Sequence, residues 1–238
     1  MNLAWIDPCA THDPFPDVGR ALSNPNGLLA VGGDLQPALL LTAYRRGIFP
    51  WYSEDQPVLW WSPDPRAVIY PSDLHVSRSL RRSCRKRGYV TTLDHEFDAV
   101  IAACAAIRIN QEGTWITAEM IDAYRALARL GYAHSAETWL EDRLVGGIYG
   151  VAIGRVFFGE SMFSREVDAS KVALVRLADE LCRRGYRLLD CQMHSPHLES
   201  LGAVSIPRER FIQLLATLCE QQPEHPLDGA LEESRSEA

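Results

Sequence analysis

Val156-Phe157-Phe158-Gly159-Glu160-Ser161-Met162-Phe163-Ser164 is followed by Arg165-Glu166-Val167-Asp168-Ala169-Ser170 and, further on, by Tyr186-Arg187-Leu188-Leu189-Asp190-Cys191-Gln192-Met193. The first run is β-branched and aromatic, with polar residues interleaved late, and reads as a strand. Asp168-Ala169-Ser170 supplies helix-capping residues. Val172, Leu174, Val175, Leu177, Ala178 and Leu181 then recur at helical spacing until Arg183-Arg184-Gly185 stops the helix. Residues 186–193 return as an apolar strand. Two parallel strands joined by a helix form a right-handed crossover. Glu160, Asp190 and Gln192 are polar where buried strands should be apolar. Asp190 and Gln192 are two apart, which predicts that they share one face of their strand. Polar groups at the ends of adjacent parallel strands make a site candidate. Such residues also cap loops and turns, so the spacing alone leaves both readings open.

Upstream of this unit, residues 1–70 are rich in turn signals, among them Asn24-Pro25-Asn26-Gly27 and Gly32-Gly33-Asp34. Pro37 to Gly47 predicts a short helix with proline near its start and glycine at its end. The segments Ile48-Phe49-Pro50-Trp51-Tyr52-Ser53 and Trp60-Trp61-Ser62-Pro63-Asp64-Pro65-Arg66 concentrate aromatic rings, which either pack a small domain or wall a pocket. Strands are expected over 66–71 and 89–93, and an amphipathic helix over 96–107. A second helix, carrying Met120, Ile121, Tyr124 and Leu127, is capped by Thr117 and stopped by Gly131. A hairpin turning at Glu141-Asp142 follows. A mixed sheet results.

At 238 residues the chain can bury a large core in one or two domains. Its six cysteines are scattered without a CxxC pair. That argues against a disulfide framework or a zinc site and for a reducing compartment. His194 and His197 lack further ligands and read as loop histidines, so no metal is expected. Residues 1–15 contain no apolar signal core, and no apolar run approaches a membrane span, so a cytoplasmic protein without a membrane partner is expected. The net charge of −7 by itself argues against a nucleic-acid partner. Its distribution says otherwise. The stretch 220–238 holds six acids and one arginine and reads as an acidic, disordered tail, which leaves the body near −2. Within that body, Arg78, Arg81, Arg82, Arg85, Lys86 and Arg87 fall within ten positions. A charge run is commonly a solvated helix face, but here it also forms an electrostatic footprint for phosphate. Arg78, Arg81, Arg82 and Arg85 share one helix face by their i, i+3, i+4, i+7 spacing.

The order hairpin, strand, helix, strand is similar to the acyl-transferring half of the GNAT-type fold. A CoA donor for that fold requires a glycine-rich loop, and 164–170 contains no glycine. The blocks Asn26-Gly27-Leu28-Leu29-Ala30-Val31-Gly32-Gly33-Asp34-Leu35, Tyr44-Arg45-Arg46-Gly47-Ile48-Phe49-Pro50-Trp51, Gly113-Thr114-Trp115-Ile116-Thr117, Gly146-Gly147-Ile148-Tyr149-Gly150, Phe158-Gly159-Glu160-Ser161-Met162-Phe163-Ser164 and Asp190-Cys191-Gln192, with the tryptophan-proline block above, resemble the leucyl/phenylalanyl-tRNA–protein transferase family from about residue 15 to 215.

The resemblance implies an α/β (α+β) fold: a small aromatic-rich N-terminal domain over 1–65, a GNAT-like acyltransferase domain with a mixed sheet over 66–219, and the tail over 220–238. It implies a monomeric enzyme without cofactor. That enzyme moves leucine or phenylalanine, with methionine as a further candidate, from aminoacyl-tRNA to proteins beginning with arginine or lysine, and so marks them for N-degron proteolysis. By the same resemblance Asp190, Gln192 and Glu160 are catalytic. Trp51, Trp115, Tyr124, Ile148, Met162, Leu174, Leu177 and Leu189 bind substrate. Independently of the resemblance, the charge pattern of the six basic residues from Arg78 to Arg87 predicts that they bind the phosphates of the tRNA. Ile148 and Leu177 stand where relatives carry methionine and phenylalanine, which keeps the pocket apolar. A Gln192 carbonyl polarised by Asp190 would aim the attacking amine, and Asp190 or Glu160 would pair with the acceptor's cationic side chain. The alternatives are a GNAT-type acyl-CoA N-acyltransferase and a non-catalytic RNA-binding module.

Overall fold

The computed structural model describes residues 3–8, 13–109 and 116–227. Two mixed sheets organise them. The first has the order β1-β2-β4-β3, built from β1 (Ala4–Ile6), β2 (Leu28–Gly32), β3 (Phe49–Pro50) and β4 (Leu59–Trp61). Helix α1 (Pro37–Arg45) connects its second and third strands. The chain then enters the larger sheet through β5 (Arg66–Ile69), shorter than the expected 66–71 because Pro71 starts a 3-10 turn. Helix α2 (Arg78–Lys86), β6 (Val90–Leu93), α3 (Phe97–Ile109) and α4 (Ala118–Arg129) follow. The expected hairpin is β7 (Ala133–Leu140) and β8 (Arg143–Ile153), and the crossover is β9 (Val156–Ser164), α5 (Ala169–Arg183) and β10 (Leu188–Gln192). The segments α6 (Pro196–Glu199), β11 (Val204–Ile206) and α7 (Arg208–Leu218) complete the fold.

The seven-stranded order is β11-β5-β10-β9-β8-β7-β6, antiparallel except for the β9–β10 pair. Alternation along β8 and β9 divides the core. Tyr149, Val151 and Phe158 face Val100 of α3, Tyr124 of α4, Phe211 of α7 and the buried side chains Leu40, Tyr44 and Trp60 of the first sheet's region. Ile148, Phe157 and Leu189 face Leu174, Leu177 and Leu181 of α5, and α2 adds Leu80 to that side. The apolar face of α5 is therefore dictated by its sequence spacing.

Its start differs from expectation. Asp168 is the N-cap but sits at φ 62° and its side chain caps nothing. Its carboxylate instead binds Ser83 Oγ at 2.8 Å and Lys171 Nζ at 3.2 Å, which ties α2 to α5. Thr117 does cap α4, accepting from the Met120 N–H at 3.2 Å. The expected disordered tail is also shorter at its near end. Leu227 is buried, its N–H donates to the Tyr186 hydroxyl, and the Pro226 carbonyl accepts from Arg184. One apolar anchor and these bonds hold residues 220–227 against the end of α5, while 228–238 lie outside the described residues. Among the described residues no helix is long and apolar enough to cross a membrane.

Candidate active site

The pairing of β9 with β10 ends at Phe158 opposite Asp190. Just beyond that point both strands bulge. On β9, Ser161 pairs with Tyr149 and Gly159 with Gly150, which leaves Glu160 as the extra residue. On β10, Asp190 pairs with Val68 and Gln192 with Ala67, which leaves Cys191 as the extra residue. Bulges bend strands away from their neighbours, and a cavity of about 360 Å³ opens where the two part. Gly150 is required there, since a Cβ would stand 2.2 Å from the Phe158 carbonyl oxygen.

Ile148, Met162, Leu174 and Leu189 form the cavity's apolar wall, and Trp51 with Phe49 and Pro50 forms its rim. Trp51 is 36% exposed and meets the Trp61 ring at a tilt of 57°, with centroids 5.5 Å apart. Trp60 is fully buried core. The aromatic cluster thus both packs a domain and walls a pocket. Glu160, Asp190 and Gln192 form the polar side, and His194 and His197 lie on the margin. Two expected lining residues are elsewhere. Leu177 faces the core of the large sheet, one helical turn beyond Leu174, and does not reach the cavity. Tyr124 lies behind Glu160 and off the cavity surface. Trp115 lies outside the described residues.

Glu160 is held by residues from two helices. Tyr44 of α1 donates to Oε1 at 2.8 Å and Tyr124 of α4 donates to Oε2 at 2.7 Å. The two hydroxyl oxygens are 2.5 Å apart. Three contacts share two hydroxyl protons, so the ring is complete only when the carboxyl carries a third. Burial raises the carboxyl from an ordinary 4.5 to about 7, against the opposing pull of the two tyrosine hydrogen bonds. Burial, and then the charge of Glu160, push both tyrosines well above their usual range.

Asp190 and Gln192 do not form the expected regular pair. The bulge and a φ of 55° at Gln192 break the strand's alternation between them. The contact from Gln192 to Asp190 is made by its backbone N–H, at 3.1 Å, and not by its side chain. Asp190 is fully buried and committed to Arg66, whose Nε and Nη2 donate to its two oxygens at 2.8 and 2.7 Å. It therefore has no place for an acceptor's cationic side chain, which corrects that part of the expectation. Arg66 lies 124 positions earlier, and no spacing signal connects the two. Among the described residues no group of three His, Cys, Asp or Glu side chains is arranged to hold a metal. Burial pushes the Cys191 thiol far above its usual range, so it is an inert part of the wall.

Arg78, Arg81, Arg82 and Arg85 are all exposed, while Leu80 and Ser83 bury the opposite side of α2. Among the described residues none of the four arginines forms an ion pair with a carboxylate. Arg87 is exposed at the end of the helix.

Two family models match in tandem: the leucyl/phenylalanyl-tRNA protein transferase over residues 68–216 and its N-terminal domain over 33–64. The chain is 58% identical over 221 residues to the leucyl/phenylalanyl-tRNA–protein transferase of Aromatoleum aromaticum, covering 93% of this chain and 92% of that one. The chain belongs to the leucyl/phenylalanyl-tRNA–protein transferase family. Another member, from Chromohalobacter salexigens, is 59% identical over 213 residues, 90% of this chain and 82% of its own. The protein is accordingly an aminoacyltransferase with an α+β fold. Among solved structures, a GCN5-related N-acetyltransferase from Kribbella flavida aligns at 13% identity over 71% of this chain and 60% of its own, with a TM-score of 0.36.

Proposed function

We propose that this member of the family moves leucine or phenylalanine, with methionine as a further donor, from aminoacyl-tRNA to the α-amine of proteins beginning with arginine or lysine. The product is thereby marked for N-degron proteolysis. The observation that carries this reading is the cavity itself, in which an apolar wall meets Glu160 and the bulge at 190–192. Leucine and phenylalanine share apolar bulk but little shape, so such a wall selects by burial, at about 25 cal/mol per Å². The half-exposed Trp51 ring at the cavity rim suits a terminal adenine. The exposed arginines of α2, with Lys86 and Arg87 beside them, suit the phosphates of an acceptor stem, which carry no sequence information.

An aminoacyl ester is already activated, so aminolysis needs orientation and removal of one proton. The incoming α-ammonium has a pKa of about 7.7–8.0. Ionised Glu160, with its carboxyl near 7, is matched to take that proton. Gln192 orients the amine. The amide C–N bond forms, the ester C–O bond breaks, and the ribose oxygen leaves with a proton. The same reading makes the active unit a cytoplasmic monomer, whose specific activity is independent of protein concentration.

The test is incubation of the pure protein with labelled Leu-tRNA and a peptide that starts with arginine. Transfer of the label to the peptide is expected, with none to an N-acetylated peptide. Product from an acyl-CoA and none from Leu-tRNA would favour the N-acyltransferase alternative. Retention of tRNA without any product would leave an RNA-binding module.

A further inference from the structure

Arg66 is absent from the cavity lining, yet its guanidinium makes three hydrogen bonds and lies against two aromatic rings. It is 1% exposed and grips both oxygens of Asp190. Nη1 donates to the Gly47 carbonyl at 3.1 Å. The guanidinium carbon lies 4.5 Å from the Phe211 ring centroid and 4.9 Å from that of Phe49. These partners come from β10, the turn after α1, β3 and α7. Gly47 adopts φ 71° with Phe211 and Ile212 against it, so the turn that presents its carbonyl admits no side chain. A planar fork held this way fixes the orientation of a carboxylate as well as its charge.

The carboxylate passes that orientation on. Asp190 Oδ1 accepts from Arg66 Nε and also from the backbone N–H of Gln192. Gln192 occupies the left-handed region, which a residue with a side chain holds only where its surroundings impose it. Its Nε2 is buried on the cavity wall and has no hydrogen-bond partner among the described residues. A buried amide left unpaired is poised for a ligand that pairs it.

We propose that Arg66 is a positioning residue for the transfer reaction, acting through Asp190 to hold the 190–192 bulge and so to aim the Gln192 amide at the reacting ester and amine. The inference rests on the aminoacyl transfer proposed above. The bland alternative is a buried ion pair that only holds the fold. The two differ in how Arg66 and Gln192 couple.

The experiment is a double-mutant cycle with Arg66→Lys, Gln192→Ala and their combination, assayed with a minimal aminoacyl-adenosine donor and an arginine-starting peptide. Lysine keeps the charge but cannot hold both oxygens. Arg66→Lys is expected to lower kcat about ten- to a hundredfold while the donor KM stays within about twofold. The double variant is expected to match Gln192→Ala within about threefold, because residues acting as one unit are not additive. A wild-type kcat in Arg66→Lys, or losses that multiply in the double variant, would overturn the proposal. Should Arg66→Lys fail to fold, Phe211→Leu keeps the core apolar and removes the ring under the guanidinium. A smaller kcat loss, of about three- to tenfold, with the same lack of additivity is then expected, and multiplying losses would again overturn the inference. A wild type without transfer sinks the functional reading itself, whereas an active wild type with an unimpaired Arg66→Lys sinks only the role of Arg66.

Discussion

Replacing Glu160 with glutamine should remove a pH dependence of stability that the wild type carries. The folded carboxyl titrates near 7 rather than at an ordinary 4.5. Between those values the native state binds more protons than the unfolded chain, so wild-type stability falls as pH rises through the window. At about 1.36 kcal/mol per pKa unit, full ionisation costs about 3 kcal/mol, of which about 2.5 kcal/mol develops between pH 5 and 8. Below the unfolded value both states are protonated and the penalty is absent. Glutamine keeps three hydrogen bonds in the ring with Tyr44 and Tyr124, since its amide donates where the protonated carboxyl did. It does not titrate. Urea unfolding of both proteins at pH 5, 6, 7 and 8 measures the difference directly, provided that the m-value is unchanged. The expected result is a gap that widens in favour of the glutamine variant by about 2–3 kcal/mol across that range. Parallel stability curves would refute the argument that burial holds the Glu160 carboxyl protonated near neutral pH. The variant should also lose transfer activity, because its side chain accepts no proton from the amine.

Asp190→Ala and Gln192→Ala should each lower transfer by about ten- to a thousandfold with tRNA binding nearly intact, and normal turnover would remove the pair from the chemistry. Ile148→Asp or Met162→Asp should abolish donor use by placing a charge on the apolar wall, and equal use of Leu-tRNA and Val-tRNA by the wild type would refute selection by burial. Neutralising Arg78, Arg81, Arg82 and Arg85 together should weaken tRNA binding and reduce its salt dependence by up to about four ion-release units, while the rate with aminoacyl-adenosine is unchanged. Loss of the minimal-donor reaction with tRNA affinity retained would make the run structural. Phe211→Ala should cost about 3–5 kcal/mol in chemical denaturation, because the ring is fully buried against Arg66, and a cost below about 1 kcal/mol would contradict that packing.

Local pattern alone was enough for the crossover of β9, α5 and β10, for the hairpin and for the cationic face of α2. In each of these, periodicity and turn residues act within a few positions of one another, and short-range geometry suffices. The seven sequence blocks pointed to the family, and the apolar character of Ile148, Met162, Leu174 and Leu189 was legible beside them. Whether a given apolar residue faces the cavity was not, because periodicity places Leu174 and Leu177 on the same buried stripe. Only the position where β9 and β10 part tells the two apart. The disposition of the polar groups was likewise a tertiary matter. Regular alternation put Asp190 and Gln192 on one face, and a single extra residue in the strand undid that inference. The partner of Asp190 is Arg66, on a strand 124 positions away, and the partners of Glu160 are tyrosines on two different helices. Sequence distance carries no information about such pairs, since the cost of leaving a carboxylate buried and unpaired is set by whatever the completed fold brings beside it.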